Sequence, residues 1–229
     1  MMSRIAENIA QIRETIASYE KEGCRAPGSV KLLAVSKTFP AQDVLEAYSH
    51  AQQIMFGENR VQELQEKVPA LPDAIQWHLI GHLQSNKAAK AAELADWIHS
   101  VDSEKLIRKL DAAAGDAGKK LNILLEINWT NEESKNGIRS AEEAITLTEL
   151  ALNCPNLKLQ GLMTMAEAGA DEMRLRQTFA GVRELRNTLE QQFRIVLPEL
   201  SMGMSGDYRE AILEGATMVR IGTAIFGRR

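Results

Sequence analysis

The sequence predicts an α/β fold, a single (β/α)8 TIM barrel with one extra helix at its N-terminus. Eight short apolar runs alternate with segments of helical periodicity along the chain. Several runs are apolar on successive residues, which is typical of parallel strands buried on both faces. This pattern favours the barrel, and a doubly wound open sheet is the alternative. The runs are Lys31–Ser36, Gln53–Gly57, Ile75–Gly81, Trp97–Asp102, Leu121–Asn128, Leu157–Met163, Leu200–Met204 and Met218–Ile225.

The first helix is predicted within Met1–Glu20. Its apolar residues recur at spacings of four and three, which places them on one face of a helix. Charged and polar residues lie between them, so the segment lacks the continuous apolar stretch of a signal peptide. The apolar face consists of Ile5, Ile9, Ile12, Ile16 and Tyr19.

Three later helices carry signals of their own. Ser103–Ala117 and Asp171–Phe193 each place apolar residues on one side. Ser140 and Glu143 fit a capping box, in which the two side chains satisfy backbone N–H groups where a helix begins. No linker rich in glycine, proline or serine interrupts the pattern, so we expect residues 1–229 to form one domain.

The composition excludes several classes of function. Hydrophobic residues make up 45% of the chain and charged residues 25%, which is ordinary for a folded soluble protein. The net charge is −4, whereas nucleic-acid-binding domains normally carry excess positive charge. Cys24 and Cys154 follow no metal or redox spacing, and no apolar run is long enough for a membrane span. We therefore expect a cytoplasmic protein with no nucleic-acid or membrane partner and no metal.

Lys37 directly follows the first predicted strand, and the functional site of such a barrel lies at the carboxyl ends of its strands. An amine attacks a carbonyl carbon only when it is neutral, and desolvation or a nearby cation favours the neutral form. Lys37 is therefore a candidate Schiff-base lysine. A solvated surface lysine is the alternative, because lysine is rarely buried without a partner.

Arg220 interrupts the otherwise apolar last strand. Period-two alternation places it on the opposite face from Val219 and Ile221, so it points into the barrel if those two face the helices. Because a buried charge needs a partner, Arg220 is either half of an ion pair or a ligand contact.

The loops after the last two strands favour the ligand contact. Gly222 lets a ligand approach the backbone closely, and Thr223 adds a hydroxyl and an N–H group. Ser205 and Gly206 lie at the start of the preceding helix, where N–H groups bind anions. Barrels commonly form a phosphate site from these two loops. With the amine of Lys37, the pattern predicts a phosphorylated aldehyde cofactor, and pyridoxal 5′-phosphate fits.

Six sequence blocks, spread from the first strand to the end of the chain, carry a family resemblance when taken together. They are LAVSKT at 33–38, FGEN at 56–59, WHLIGHLQSNK at 77–87, GLM at 161–163, LSMGMS at 200–205 and VRIGTAIFG at 219–227. In these blocks the chain closely resembles the pyridoxal phosphate homeostasis proteins, the YggS/PROSC family. The resemblance implies the barrel half of alanine racemase, which is fold type III among pyridoxal phosphate proteins, without the second domain.

The resemblance also implies a set of cofactor-binding residues. Lys37 matches the lysine that forms the covalent aldimine, and Arg220 matches the arginine that meets the pyridine nitrogen. Phosphate contacts, pocket-lining residues and a neighbour of the arginine complete the set. The phosphate contacts are Ser205, Gly222 and Thr223, the pocket-lining residues are Asn59 and Met163, and the neighbour of the arginine is Ser201.

One position departs from the family pattern. A tyrosine usually follows Gly-Glu-Asn, and this chain has Arg60 there. Any contact made by the tyrosine ring is therefore in doubt, whereas the covalent link to Lys37 is not affected.

The implied function is intracellular pyridoxal phosphate homeostasis by reversible binding, buffering and delivery, without catalytic turnover. We expect a monomer that passes the cofactor to apo-enzymes. Arg220 can only donate hydrogen bonds, so it pairs with an unprotonated ring nitrogen and makes the cofactor a poor electron sink. A racemase with such an arginine needs a second acid/base, and Tyr208 is the one tyrosine expected near the barrel mouth.

Two enzyme classes remain as alternatives. One is a small pyridoxal-phosphate amino-acid racemase. The other is a sugar-phosphate enzyme with Lys37 as its Schiff-base lysine and with Glu58 and Glu126 available for acid–base chemistry.

Other polar residues give weaker indications of function. His78 and His82 straddle a strand end, where their spacing does not bring two rings together, so zinc is not expected. Lys87 is a candidate for a second anion contact, and Lys135 for a residue that relays the aldehyde. A solvated position explains either lysine equally well.

Overall fold

The computed structural model describes residues 3–130 and 136–227. Eight parallel strands form a closed barrel in the order β1 to β8, and β8 pairs with β1. This closure confirms the predicted barrel and excludes the open doubly wound sheet. The strands are β1 (Lys31–Val35), β2 (Met55–Glu58), β3 (Gln76–Leu79), β4 (Trp97–Val101), β5 (Leu121–Ile127), β6 (Leu157–Thr164), β7 (Glu199–Ser201) and β8 (Met218–Ile221).

Helices surround the barrel and connect its strands. Short 3-10 turns also occur at Val68–Ala70 and Ser85–Lys87. The helices in the described part of the chain are α1 (Arg4–Glu22), α2 (Ala41–Ala51), α3 (Val61–Lys67), α4 (Ala88–Leu94), α5 (Glu104–Asp116), α6 (Ala141–Leu152), α7 (Glu172–Phe193), α8 (Tyr208–Leu213) and α9 (Thr223–Phe226).

The extra N-terminal helix is present as predicted. Ser3 caps α1 by accepting a hydrogen bond from the Ala6 N–H. The predicted isoleucine face is buried, and α1 packs against α2, α8 and α9. The Asn8 side-chain amide donates to the Ile225 carbonyl at 2.8 Å, which ties α1 to the segment after the last strand.

The predicted cap of α6 is also confirmed, and α7 has a cap that was not predicted. The Glu143 N–H donates to the Ser140 hydroxyl at 3.1 Å where α6 begins, and the Glu143 carboxylate accepts from the Arg139 N–H at 3.2 Å. Asp171 caps α7 in the same way, by accepting from the Arg174 N–H at 2.8 Å.

The last two strands are shorter than predicted. β7 was expected to reach Met204 but ends at Ser201, and the chain turns at Gly203, whose φ is +94°. β8 was expected to reach Ile225 but ends at Ile221. The apolar residues after it belong instead to α9, in which Ile225 and Phe226 are buried. An apolar run does not by itself distinguish a strand from a buried helical turn.

Gly161 allows β6 and β7 to approach closely. A Cβ atom at this position would lie 1.8 Å from the Glu199 carbonyl oxygen. The register between β5 and β6 also shifts next to this residue, between Ile123 and Leu124. Only glycine fits this contact without moving a strand.

We expect Gly161→Ala to destabilise the protein by about 3 kcal/mol or more, because the clash is with backbone in the barrel wall. Urea unfolding followed by circular dichroism measures this. Gly118→Ala is the matched control, since Gly118 has φ +66° but open space around the position of a Cβ atom, and it should cost only about 1–2 kcal/mol. Equal losses in the two variants would contradict the close-approach argument.

Candidate functional site

A cavity of about 790 Å³ lies at the carboxyl end of the barrel. This volume falls within the range typical of small-molecule sites. Its lining includes residues that follow β1, β2, β3, β6, β7 and β8. Six of the eight sequence-predicted site residues line it, namely Lys37, Asn59, Ser205, Arg220, Gly222 and Thr223.

Lys37 is exposed to this cavity on top of a buried polar cluster. The preceding residue, Ser36, is fully buried, and its hydroxyl donates to Glu58 at 2.6 Å. The Lys67 ammonium donates to the Ser36 carbonyl at 2.8 Å and to Glu58 at 2.6 Å. Burial raises the pKa of Glu58 to about 7, while Lys67 and Ser36 oppose the rise. The cluster fixes the backbone from which Lys37 projects.

The backbone on the other side of Lys37 is also constrained. Thr38 has φ +66°, which is rare for a β-branched residue. The Thr38 N–H donates to the Glu63 carboxylate, and its hydroxyl donates to the Lys37 carbonyl at 2.6 Å. The loop after β1 is therefore held on both sides of the lysine.

Arg220 is 4% exposed and points from β8 towards the cavity, as its sequence position predicts. Its Nη1 donates to the Ser201 carbonyl at 2.5 Å and to the Ser201 hydroxyl at 2.9 Å, and its Nη2 donates to the Thr164 carbonyl at 2.8 Å. Burial lowers the pKa of Arg220 to about 10, opposed by Asp207 and Glu126. The guanidinium is therefore cationic at neutral pH.

A buried histidine chain continues from this arginine. His99 Nδ1 lies 3.0 Å from the Ser201 hydroxyl, and His99 Nε2 lies 2.9 Å from His78 Nδ1. Burial lowers the pKa of His78 to about 3 and that of His99 well below its usual value. Both rings are therefore neutral. This chain was not predicted from the sequence, although His99 is recognisable there as a polar residue inside the apolar run of β4.

The β7–β8 side of the cavity offers backbone and hydroxyl groups to an anion. A Cβ atom at Gly222 would lie 3.0 Å from the Val35 carbonyl oxygen, so β8 ends in close contact with β1. Gly206 has open space around the position of a Cβ atom. Ser205 and Thr223 are exposed beside these glycines.

A carboxylate lines the same cavity from β5. Glu126 is 5% exposed, and its Oε2 is buried without a hydrogen-bond partner in the described part of the chain. Burial raises the pKa of Glu126 to about 7, helped by Asp102 and opposed by Arg220. Asp102 Oδ2 lies 3.8 Å from His82 Nδ1, and His82 also lines the cavity.

Two of the implied residues lie outside the lining. Met163 is 1% exposed and is in register with Glu126 on one side and Ser201 on the other. Ser201 is fully buried and contacts Arg220. Met165 lines the cavity two residues beyond Met163. The roles of these residues in cofactor binding stay predictions.

Four more residues singled out in the sequence are Arg60, Lys87, Lys135 and Tyr208. Arg60 and Lys87 line a neighbouring cavity of about 550 Å³, which shares Asn59 and His82 with the first cavity. Lys135 lies outside the described residues. Tyr208 contacts Tyr19 of α1, with ring centroids 5.5 Å apart, and does not line the cavity.

Two further observations concern metals and membranes. Within residues 3–130 and 136–227, no group of three or more histidine, cysteine, aspartate or glutamate side chains is arranged to hold a metal ion. His78 contacts His99 and not His82. In the same ranges, none of the helices has the length and apolarity needed to cross a membrane.

The sequence matches known proteins over its whole length. The family model of the alanine racemase N-terminal domain matches residues 2–229. A pyridoxal phosphate homeostasis protein of Vibrio alginolyticus is 45% identical, over 100% of this chain and 99% of the relative. The corresponding protein of Escherichia coli is 38% identical, over 100% of this chain and 98% of that relative. The chain belongs to the pyridoxal phosphate homeostasis protein family. The resemblance carried by the six sequence blocks is thereby confirmed.

Solved structures agree with this family assignment. The structure of PipY from Synechococcus elongatus with pyridoxal phosphate bound has a TM-score of 0.86 and 40% identity, and the match covers 97% of this chain and 100% of that chain. Alanine racemase from Streptomyces coelicolor has a TM-score of 0.69 at 19% identity, covering 96% of this chain and 58% of that chain. This racemase therefore shares the barrel fold of the present chain.

We expect Glu126→Gln to stabilise the protein above pH 7. The pKa of Glu126 rises from 4.5 to about 7 on folding, so the folded state holds its proton more tightly than the unfolded state. The wild type therefore loses stability as pH rises from about 4.5 to 7, by at most about 3 kcal/mol, and the loss remains above pH 7. Asp102 strengthens the effect, and Arg220 weakens it.

Urea unfolding at pH 5 and pH 8 checks this expectation. The stability gained by Glu126→Gln should be larger at pH 8. Glu199→Gln is the control, because that buried carboxylate accepts hydrogen bonds from Lys31 and Thr217 and its replacement should destabilise. A Glu126→Gln variant that is less stable than the wild type at pH 8 would show that the carboxylate has a partner after all.

Proposed function

We propose that this protein binds pyridoxal 5′-phosphate reversibly in the cavity described above, and buffers and delivers it without catalytic turnover. One observation carries the proposal. A lysine amine, a buried arginine and an open glycine-containing backbone line a single cavity. The PipY relative, whose structure contains pyridoxal phosphate, supports it.

The residues present fit this cofactor. A phosphate needs N–H and hydroxyl donors with room to approach, and Ser205, Gly206, Gly222 and Thr223 offer these on one side of the cavity. An aldehyde needs a primary amine, and Lys37 supplies one. An unprotonated ring nitrogen needs a donor, and the guanidinium of Arg220 is a donor only.

The chain's own groups define what the site does. Bound there, the cofactor would supply an aldehyde that condenses reversibly with a primary amine. Hydrogen bonds to Ser201 and Thr164 fix the orientation of Arg220. Its remaining guanidinium N–H groups can then donate to a ligand in the cavity. The buried cluster beneath Lys37 holds that side chain at the cavity mouth. These residues bind and orient, and none of them is assigned a role in turnover.

The enzyme alternatives are less well supported. The racemase alternative calls for a tyrosine acid/base facing Lys37, and none of Tyr19, Tyr48 and Tyr208 lines the cavity. A sugar-phosphate enzyme needs a pair of free carboxylates, and Glu58 is bound by Lys67 and Ser36. The relatives are named as homeostasis proteins. Incubation of the loaded protein with L-alanine in D₂O tests the racemase alternative, which predicts incorporation of deuterium at Cα.

Partners, location and assembly complete the proposal. We propose apo-enzymes as recipients of the cofactor, and the cytoplasm as the location, since Cys24 and Cys154 are free thiols of the kind that a reducing compartment maintains. We propose a monomer consisting of one domain over residues 1–229. The exposed large apolar side chains are spread along the chain, as Ile54 before β2, Leu152 at the end of α6 and Val196 between α7 and β7 illustrate.

Lys37→Ala should abolish covalent retention of pyridoxal phosphate. Borohydride reduction of the loaded wild type, followed by peptide mapping, should place the label on Lys37, and the variant should carry none there. Lys90→Ala is the matched control, because Lys90 pairs with Glu93 outside the cavity and its variant should label like the wild type. Wild-type label on another lysine, or on no residue, would overturn the proposed function.

Gly206→Asp should weaken phosphate binding. The added carboxylate would lie beside the anion side of the cavity, where the backbone leaves open space. Equilibrium titration should show at least about tenfold weaker binding of pyridoxal phosphate, which corresponds to about 1.4 kcal/mol, and little change for pyridoxal, which has no phosphate. Equal weakening for both ligands would contradict the placement of the phosphate on this side of the cavity.

A further inference from the structure

Glu126 is unlike the other buried glutamates of the protein. Five glutamates in the described part of the chain are buried, and four of them accept hydrogen bonds from donors within the fold. A buried carboxylate normally requires such donors, because the charge has lost its water. The four are Glu20 with the Gly28 and Val30 N–H groups, Glu58 with Ser36 and Lys67, Glu199 with Lys31 and Thr217, and Glu214 with Arg176 and Arg183.

Glu126 is buried to a similar extent, but within residues 3–130 and 136–227 no group donates a hydrogen bond to it. Its Oε2 is buried without a partner, as is Oε2 of Glu58, but the Glu126 side chain also lines the cavity that contains Lys37. Arg220, a cation in the same cavity lining, donates its hydrogen bonds to Ser201 and Thr164 and does not bond to Glu126. The acceptor capacity of Glu126 is therefore available to a ligand.

The barrel order gives the cavity two electrostatic sides. In a closed ring of eight strands, β4 and β5 lie opposite β8 and β1. Arg220 and the glycines at the anion side belong to β7, β8 and their loops. Glu126 on β5 places a carboxylate on the opposite side of the cavity, and Asp102, directly after β4, lies 3.8 Å from His82 of the same lining. A ligand group next to Glu126 is therefore expected to be cationic.

We propose that Glu126, with Asp102 beside it, forms a subsite that binds the ammonium group of the incoming primary amine and accepts its proton. This inference rests on the proposed function, because the amine is the one that receives the cofactor aldehyde. It assigns to the site a ligand class, primary amines, and a proton-accepting residue.

The proton and bond balance is complete without any further reagent. The ammonium transfers one proton to the Glu126 carboxylate and becomes a neutral amine. That amine would form a C=N bond to the carbon of the cofactor aldehyde as the C=N bond from this carbon to Lys37 breaks. The two remaining N–H protons of the amine would pass to the Lys37 nitrogen, and the proton held by Glu126 would convert Lys37 to its ammonium form, which restores the carboxylate.

Ammonium binding is tested on the cofactor-free protein, so the result is independent of cofactor loading. Ethylamine is titrated into protein labelled with ¹³C at the glutamate carboxyl carbons. One buried glutamate resonance should shift with saturation, and it should be absent in Glu126→Gln. The other glutamate resonances are internal controls. Absence of any saturable shift, or an equal shift in Glu126→Gln, would overturn the subsite.

The proton-accepting role is tested on the loaded protein. Transfer of pyridoxal phosphate to ethylamine should be about 100-fold slower in Glu126→Gln, while the equilibrium affinity for pyridoxal phosphate changes little. Glu104→Gln is the control, since Glu104 is exposed and pairs with Arg108. A wild-type transfer rate in Glu126→Gln would overturn the proton-accepting role. A wild type that cannot be loaded would instead overturn the proposed function, and the ethylamine titration would still decide whether the subsite exists.

Discussion

The pairing of β8 with β1 is the constraint on which the site depends. It joins the two ends of the chain and sets Leu33 in register with Arg220 and Ala34 with Ile221. Lys37, just beyond β1, is thereby brought to the same cavity as Arg220 and the loop at Gly222. Neither half of the chain contains this arrangement by itself. A shift of one residue in this register would turn Arg220 away from the cavity, because neighbouring residues of a strand face opposite sides.

Placing a guanidinium inside a barrel creates a second requirement, since a buried cation is destabilising unless it is satisfied. The fold meets it mainly with neutral acceptors, namely the Ser201 and Thr164 carbonyls and the Ser201 hydroxyl. The histidine chain behind Ser201 is neutral as well, since burial lowers the pKa of both rings. No carboxylate bonds directly to Arg220 in the described residues. The arginine therefore retains its charge and its capacity to donate to a ligand.

The sequence predicts the barrel, the N-terminal helix and six residues of the cavity lining, mostly from local patterns. Apolar runs give the strands, and position after a strand gives Lys37 and Thr223. His99 was missed, and Glu126 was named only for a sugar-phosphate enzyme, because the roles of both depend on contacts between distant strands. His99 and Glu126 are single polar residues in apolar runs, and the sequence does not reveal that one is hydrogen-bonded and the other is not. The predicted end of β8 was also wrong, because the residues of α9 that follow it are as apolar as those of a strand.

The unpartnered carboxylate bears on why this barrel would carry a cofactor and also release it. Folding alone disfavours an ionised Glu126 without a donor, and the four other buried glutamates show that this fold can supply donors. Residues that reduce stability in this way are typical of functional sites. The groups that would hold the cofactor and the group proposed to accept its next amine lie on opposite sides of one cavity. An incoming amine would then bind without displacing the phosphate, so the aldehyde could change partners before the cofactor leaves.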